Sequence, residues 1–449
     1  MLDWLLDINI VSGWFVDTVR VLVFAGLAWL AVALWRRSRR RLLVAVIVGV
    51  VCFGLGLLLT WLVSDVWVSF GVTLGWTVIR RTALGLGMLG AAVVGIVALV
   101  GWRRAVSCLL AVLVLVFTGT QIDGAYNQYP KVRSLFGMPY YAALSSSLER
   151  TATLDIDQWR ETQSSSAPST GRTYSVDIPA TTSGFAARHA NVWLPPAALT
   201  DEAAALPVII VLSGQPGSTD DLFVAGGLDT VLDQYAAAHD GVAPIVVAPD
   251  QLGAPLNNPI CVDSTQYGNV ETYLTVDVPN WIRAHLPVAS GVDQWALAGF
   301  SQGATCTMQI GPAYPQLFGS MFAISSEIEP NNGTEQQMID QYFAGSRDAF
   351  VSHTPLGAIA QHAPSSQHVL FAAGSGDSQA QSNITQLRAA ADAAGMTTRG
   401  VLSEGTSHDF WTVRNVLPAG IDQLGVWFGL TDQAQSLSTW SSVSEIEGP

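Results

Sequence analysis

Four long apolar runs open the chain, and shorter strand-like and helix-like segments follow them. The runs are Trp14–Trp35, Leu42–Val63, Thr82–Trp102 and Val106–Ile122. A membrane-crossing helix needs about 20 apolar residues, so each run predicts one span. Asp17 and Arg20 interrupt the first run and, three apart, share a helix face where they can pair. Trp35, Trp61, Trp67, Trp76 and Trp102 sit at run ends, where interfacial aromatics gather. The stretch Val66–Ile79 reads as an interfacial segment.

Beyond the runs, residues 123–172 read as a membrane-proximal stalk closed by the Ser/Thr/Pro/Gly-rich linker SSSAPSTGR. From residue 173 the period changes. Early strands TYSVDIPA and HANVWLPP lead into the buried strand LPVIIVLSG, a helix over 219–238 and the strand APIVVAPD. A helix Glu271–His285, the strand DQWALAGFS and a helix beginning GATC come next. Further strands are SMFAISSEI, SQHVLFAAG and TTRGVLSEG, with helices at Ile384–Ala394 and 416–430. Strands alternating with helices imply a mostly parallel sheet covered on both faces. The expected organisation is a four-helix transmembrane region (1–122), a stalk and linker (123–172), an extracytoplasmic α/β domain (173–435) and a C-terminal tail (436–449).

Charge divides the chain in the same way. The 449 residues are 12% charged, about half the usual share for a soluble domain. Residues 1–120 hold ten Arg against four Asp, and the rest holds eleven Lys and Arg against 31 Asp and Glu. The net of −14 argues against nucleic acid as a partner. Arg36, Arg37, Arg39, Arg40 and Arg41 separate the first two runs, and Arg103 and Arg104 the last two. The positive-inside rule puts both clusters in the cytoplasm, with the N-terminus and the α/β domain outside the plasma membrane. Arg80 and Arg81 then lie outside, against the trend. The start MLDWLLDI lacks the basic region of a cleaved signal peptide. Arg is used almost to the exclusion of Lys, Lys131 being the single exception, which points to a GC-rich genome of the actinobacterial kind.

The chemistry centres on Gly299-Phe300-Ser301-Gln302-Gly303. The bare G-x-S-x-G pattern is weak, but here a buried strand precedes it and a helix follows, as a nucleophile elbow requires. Ser301 is the candidate nucleophile. In this wiring the acid and then the histidine follow the serine. His353, His362, His368 and His408 qualify by position, and His408 lies in the loop after the last strand, where the base belongs. Asp377 follows the preceding strand and is the candidate acid, with Glu404 and Asp409 as alternatives. Oxyanion donors are expected from the backbone N–H of Gln302 and, in the loop Ser213–Gly217, of Gln215, because Pro216 has none. Cys261 and Cys306 fall in the outer domain and are expected to form a disulfide. Trp411, Tyr342 and Phe343 are candidates to line a substrate pocket. No metal or cofactor site is expected, since two Cys without paired His spacing do not make a zinc site.

These motifs carry a family resemblance. The LSG strand end, the VETYLTVDVPNWI helix, AGFSQG, the GSGD loop and SHDFW resemble the serine esterase family of the α/β-hydrolase fold that includes esterase D and the mycolyltransferases. The resemblance implies a metal-free serine ester hydrolase or acyltransferase with nucleophile, acid and base at Ser301, Asp377 and His408. The mycolyltransferases carry an Arg in the loop where this chain has Ser213-Gly214-Gln215-Pro216, so hydrolysis leads over transfer to an envelope sugar. The expected substrate is a lipid or glycolipid ester. A catalytically silent binding module is the rival from another class, and a transporter with an accessory domain is a further one.

Overall fold

The computed structural model describes residues 3–67, 74–126 and 129–446. The chain divides into two compact units, Met1–Met138 and Pro139–Pro449.

The first unit holds four helices long and apolar enough to cross a membrane: α1 (Trp14–Arg37), α2 (Arg39–Trp61), α3 (Gly75–Ala98) and α4 (Trp102–Tyr126). Val46, Ile47, Val50, Val51, Leu55, Leu58 and Leu59 of α2 are all exposed. Water solvates such a continuous apolar surface badly and hydrocarbon solvates it well. Small residues let α2 and α3 approach closely: a Cβ on Gly56 would fall 2.9 Å from Ala83 Cα, and one on Gly90 2.7 Å from Cys52 Sγ. Asp17 and Arg20 pair at 3.0 Å. The third helix differs from expectation. It starts at Gly75 rather than Thr82, so Arg80 and Arg81 are helical, and it ends before Gly101, whose φ of +60° turns the chain into α4. Of the expected interfacial segment, residues 68–73 lie outside the described residues.

In the second unit the first helix is α5 (Ile156–Thr162). Strands follow as β1 (Arg172–Val176), β2 (Ala190–Leu194) and β3 (Val208–Leu212), then α6 (Leu228–Ala238) and β4 (Ile245–Ala248). Next come α7 (Val278–His285), β5 (Trp295–Phe300), α8 (Gln302–Ala313) and β6 (Ser320–Ile324). Three short helices fill the long insertion: α9 (Glu335–Tyr342), α10 (Arg347–Ser352) and α11 (Pro355–Gln361). The unit closes with β7 (His368–Gly374), α12 (Ser378–Ala393), β8 (Thr397–Ser403), α13 (Phe410–Trp427) and β9 (Val443–Glu445).

Among the described residues the main sheet has nine strands in the order β1-β2-β4-β3-β5-β6-β7-β8-β9. The six from β4 to β8 run parallel, while β1, β2 and β9 pair antiparallel at the edges. This is the α/β-hydrolase fold. Strand alternation builds a core on each face: Val208, Ile210 and Leu212 of β3 enter one, and Ile209 and Val211 the other. The central parallel strands β3, β4 and β5 carry no polar side chain because helices cover both faces, whereas β8, nearer the edge, carries Thr397, Thr398, Arg399 and Ser403.

Two boundaries move. The stretch expected as stalk and linker belongs largely to the second unit. Ala143 and Leu154 form β-bridges with Ser175 and Ala204. Trp159 of α5 is fully buried and donates its indole N–H to Thr200 Oγ1 at 2.9 Å. One tryptophan in a polar segment leaves no periodic signature, so this docking is invisible in the pattern. The expected tail likewise supplies β9, which pairs with β8 and covers what would be a bare sheet edge. Residues 447–449 of that tail lie outside the described residues.

Candidate active site

Everything chemical gathers at the carboxyl ends of the parallel strands, where open α/β sheets bind ligands. Ser301 sits between β5 and α8 at φ +57° and ψ −118°, a conformation costly for a residue with a Cβ. Neighbouring chain imposes it. Ser301 N–H donates to Ile324 O of β6 at 2.9 Å, and its carbonyl accepts from Thr305 N–H at 2.9 Å. The flanking glycines permit the crossing. A Cβ on Gly303 would fall 2.3 Å from Leu212 O, and one on Gly299 2.3 Å from the Gly303 carbonyl carbon.

Three side chains from three loops meet there. Ser301 Oγ lies 2.8 Å from His408 Nε2, and His408 Nδ1 lies 2.8 Å from Asp377 Oδ2. Asp377 follows β7 and His408 follows β8. Their loops are knitted together: Gly405 N–H donates to Ser375 Oγ at 2.8 Å, and Gly376 N–H to Thr406 O at 2.7 Å. The imidazole is nearly buried and lies against the Phe300 ring. Burial pushes the Asp377 carboxyl up, but the His408 hydrogen bond and charge and the Ala380 N–H outweigh it and hold it below the usual range. Asp377 therefore faces His408 as a carboxylate. Its Oδ1 also caps α12 through Ala380 N–H at 3.1 Å.

The alternatives have other positions. Asp409 caps α13, accepting from the N–H groups of Trp411 and Thr412. Glu404 accepts from Ser444 Oγ. His368 stacks on Trp427, His353 faces Glu271 at 3.5 Å, and His362 ends α11.

The loop Ser213–Gly217 lies over the nucleophile: a Cβ on Gly214 would stand 3.6 Å from Ser301 Cβ. Gln302 opens α8, so its N–H has no acceptor within the helix and is free for a ligand atom. Gln215 anchors its side chain to Leu256 O at 3.1 Å. Residues that the sequence reading did not single out brace this loop. Gln251, fully buried, donates to Ser213 O at 2.7 Å and Gln302 Oε1 at 3.2 Å. Arg188 pairs with buried Asp250 at 2.7 Å and donates to Gly217 O at 3.1 Å. The available signal for Gln251 was its place just past a parallel strand. Arg188 carried none, because only the fold brings it to the loop.

Glu327, in the loop after β6, is a further residue of interest. Burial pushes its carboxyl up to about 6, partly offset by Asn331 and the His408 charge. Its backbone N–H donates to Thr305 Oγ1 at 3.1 Å, tying this loop to the first turn of α8.

The pocket candidates divide. Trp411, three residues past His408, is 51% exposed, and Arg414 stacks over its ring. Tyr342 is buried in a satellite core with Ile260, Val262, Met338, Ile339 and Phe350, against which Phe343 packs. It donates its hydroxyl to Asn258 O at 2.9 Å. Tyr342 therefore holds the insertion together instead of lining an open surface, since its apolar ring finds more partners there. Cys261 and Cys306 form a disulfide that ties α8 to the loop before α7. Among the described residues no three His, Cys, Asp or Glu side chains are placed to hold a metal ion.

Residues 186–421 match the family model described as "Putative esterase". A protein of Corynebacterium glutamicum, described as uncharacterized, is 33% identical over 408 residues, spanning 88% of this chain and 92% of its own. Several solved structures are similar at low identity. A ferulic acid esterase is 17% identical with a TM-score of 0.47, covering 57% of this chain and 97% of its own. An S-formylglutathione hydrolase from Agrobacterium tumefaciens gives 17%, 0.47, 58% and 95%. MPT51 (FbpC1) of Mycobacterium tuberculosis gives 19%, 0.41, 58% and 98%.

Proposed function

The chain belongs to this esterase family, and on that premise we propose that Ser301, His408 and Asp377 are the catalytic triad of a membrane-anchored, extracytoplasmic serine esterase. The protein is an ester hydrolase or acyltransferase. The triad reading rests on the pair of 2.8 Å contacts joining Ser301, His408 and Asp377.

His408 Nε2 takes the proton of Ser301 as Oγ attacks the ester carbonyl carbon. The tetrahedral oxyanion accepts hydrogen bonds from the N–H groups of Gln302 and Gln215, helped by the positive end of α8. Collapse breaks the bond to the alcohol oxygen, which leaves with the proton from His408. Water, activated by the same imidazole, then attacks the acyl-enzyme and releases the acid and Ser301. Asp377 keeps the Nδ1 proton in place and stabilises the imidazolium.

The short-loop arginines support an outside location for this unit, and the buried disulfide fits an oxidising compartment. A site anchored beside a membrane suits a lipid or glycolipid ester. The test is fluorophosphonate labelling of the full chain in detergent, beside Ser301→Ala and His408→Ala. We expect labelling of wild type and loss of it in both variants. A well-folded wild type that does not label would overturn the assignment of Ser301 as an activated nucleophile.

A further inference from the structure

The arginines between the helices of the first unit gather at one end of it. Arg36, Arg37, Arg39, Arg40 and Arg41 flank Ser38, the single residue between α1 and α2, and Arg103 and Arg104 follow Trp102 at the start of α4. These two groups are far apart in sequence, and contacts bring them together. Arg41 Nη1 donates to the carbonyl of Ala98, the last residue of α3, at 2.7 Å. The Trp29 ring of α1 lies 5.8 Å from the Trp102 ring of α4. All these guanidinium groups therefore share one end of the bundle.

No carboxylate of the first 120 residues balances them. The only acids there are Asp3, Asp7, Asp17 and Asp65. Asp3 and Asp7 precede α1, Asp17 lies in its first turn, and Asp65 follows α2, so all four belong to the other end. Arg41 and Arg104 are engaged within the protein. Arg41 takes Ala98 O, and Arg104 Nε takes Ile96 O at 2.7 Å, two carbonyls that the last turn of α3 leaves without helical partners.

The others are free to meet a ligand. Arg36, Arg37 and Arg40 are exposed, and among the described residues their side chains make no hydrogen bond or ion pair. Arg39 lies over the Trp35 ring at 4.8 Å and Arg103 near the Trp102 ring at 5.6 Å. A guanidinium stacked on a ring keeps its N–H donors at its edge, where they can grip a planar pair of oxygens.

The surroundings decide which anion. Trp35 and Trp102 are exposed, as interfacial aromatics at headgroup level are. One turn further into the helices, Val32 and Leu43 are exposed too, and hydrocarbon is the solvent that suits them. The arginines thus sit where an apolar surface ends, which is the depth of lipid phosphates. A zwitterionic headgroup would bring an ammonium into this crowd of like charges, whereas an anionic one brings only the phosphate. Arginine pairs with phosphate through two parallel N–H···O bonds.

We propose that the two loops form one binding site for the phosphate of an anionic phospholipid, held by Arg36, Arg37, Arg39 and Arg40 from one loop and Arg103 from the other. The proposal rests on the reading that the four helices span a membrane. It is independent of the triad.

The test is native mass spectrometry of the full chain released from nanodiscs of equal phosphatidylglycerol and phosphatidylcholine. Wild type should retain phosphatidylglycerol over phosphatidylcholine by at least tenfold, and excess inorganic phosphate should not displace it. Each arginine near an anionic surface is worth about fivefold in binding. Replacing three together, Arg36→Gln, Arg37→Gln and Arg40→Gln, should therefore bring the ratio close to one. Arg103→Gln, alone and in the other loop, should lower it at least threefold, and it stands as the second variant should the triple one not fold. Arg80→Gln, outside the cluster, should leave it unchanged. Failure to enter nanodiscs overturns the spanning reading and the proposal with it. Entry without lipid preference overturns the proposal alone, as does a preference that survives Arg103→Gln or a lipid displaced by free phosphate.

Discussion

Replacing Asp377 by Asn isolates what the carboxylate does for His408. The substitution keeps the shape and can keep the oxygen that caps α12 at Ala380 N–H. It places an amide N–H₂ where Oδ2 now stands, 2.8 Å from His408 Nδ1. That nitrogen must then accept, so the ring proton moves to Nε2. Nε2 now donates toward Ser301 Oγ, 2.8 Å away, and can no longer take its proton. Loss of the right tautomer in such triads costs about 10⁴ in kcat, or roughly 5.5 kcal/mol of barrier. The assay is turnover of a p-nitrophenyl ester by full-length protein, with KM expected to change little. Asp377→Ala should be as inactive and should also lose the cap, about 1 kcal/mol of stability. Because the folded carboxyl sits below its unfolded value, its contribution to stability is complete above about pH 4 and fades as pH falls through the folded value. The stability deficit of Asp377→Ala should shrink in that same acid range. An Asp377→Asn enzyme keeping more than about a tenth of wild-type kcat would refute the reasoning. Full activity there, with loss in Asp409→Asn, would move the acid to Asp409.

Other outcomes follow from single contacts. Gly303→Ala would drive a Cβ to 2.3 Å from Leu212 O and 2.4 Å from Ser213 O, both backbone. It should destabilise by more than about 3 kcal/mol and yield little soluble, labelled protein. The disulfide closes a sequence separation of 45 residues, worth ~4 kcal/mol in the chain-entropy model. Cys261→Ser with Cys306→Ser should therefore melt well below wild type, and a reductant should lower the wild-type Tm but not the variant's. Glu327→Gln should raise Tm above pH 6, where wild type holds a charged carboxylate that burial disfavours. Below about pH 4.5 the side chain is neutral folded and unfolded, so the two melting curves should converge.

Local pattern determined a good deal by itself. Long apolar runs read as helices long enough for hydrocarbon, because no other single segment satisfies its own backbone there. Alternating strands and helices after residue 173 could only close as a parallel, doubly covered sheet. The elbow was legible because its glycines are set by the crossing of β5 and α8, a local constraint. The meeting of Asp377 and His408 beside Ser301 follows because this sheet order delivers the loops after β7 and β8 to one edge.

Tertiary structure alone decided the rest, wherever the partner is remote in sequence. Trp159 and the 139–172 segment dock on a core built mostly from residues after 173. Val443–Glu445 becomes a strand because β8 offers an open edge. Tyr342 turns inward because Ile260, Val262 and Phe350 converge on it. Gln251 and Arg188 brace the loop over Ser301 from separate places in the chain. A periodicity reports the face an element buries, not the distant group that will meet it there.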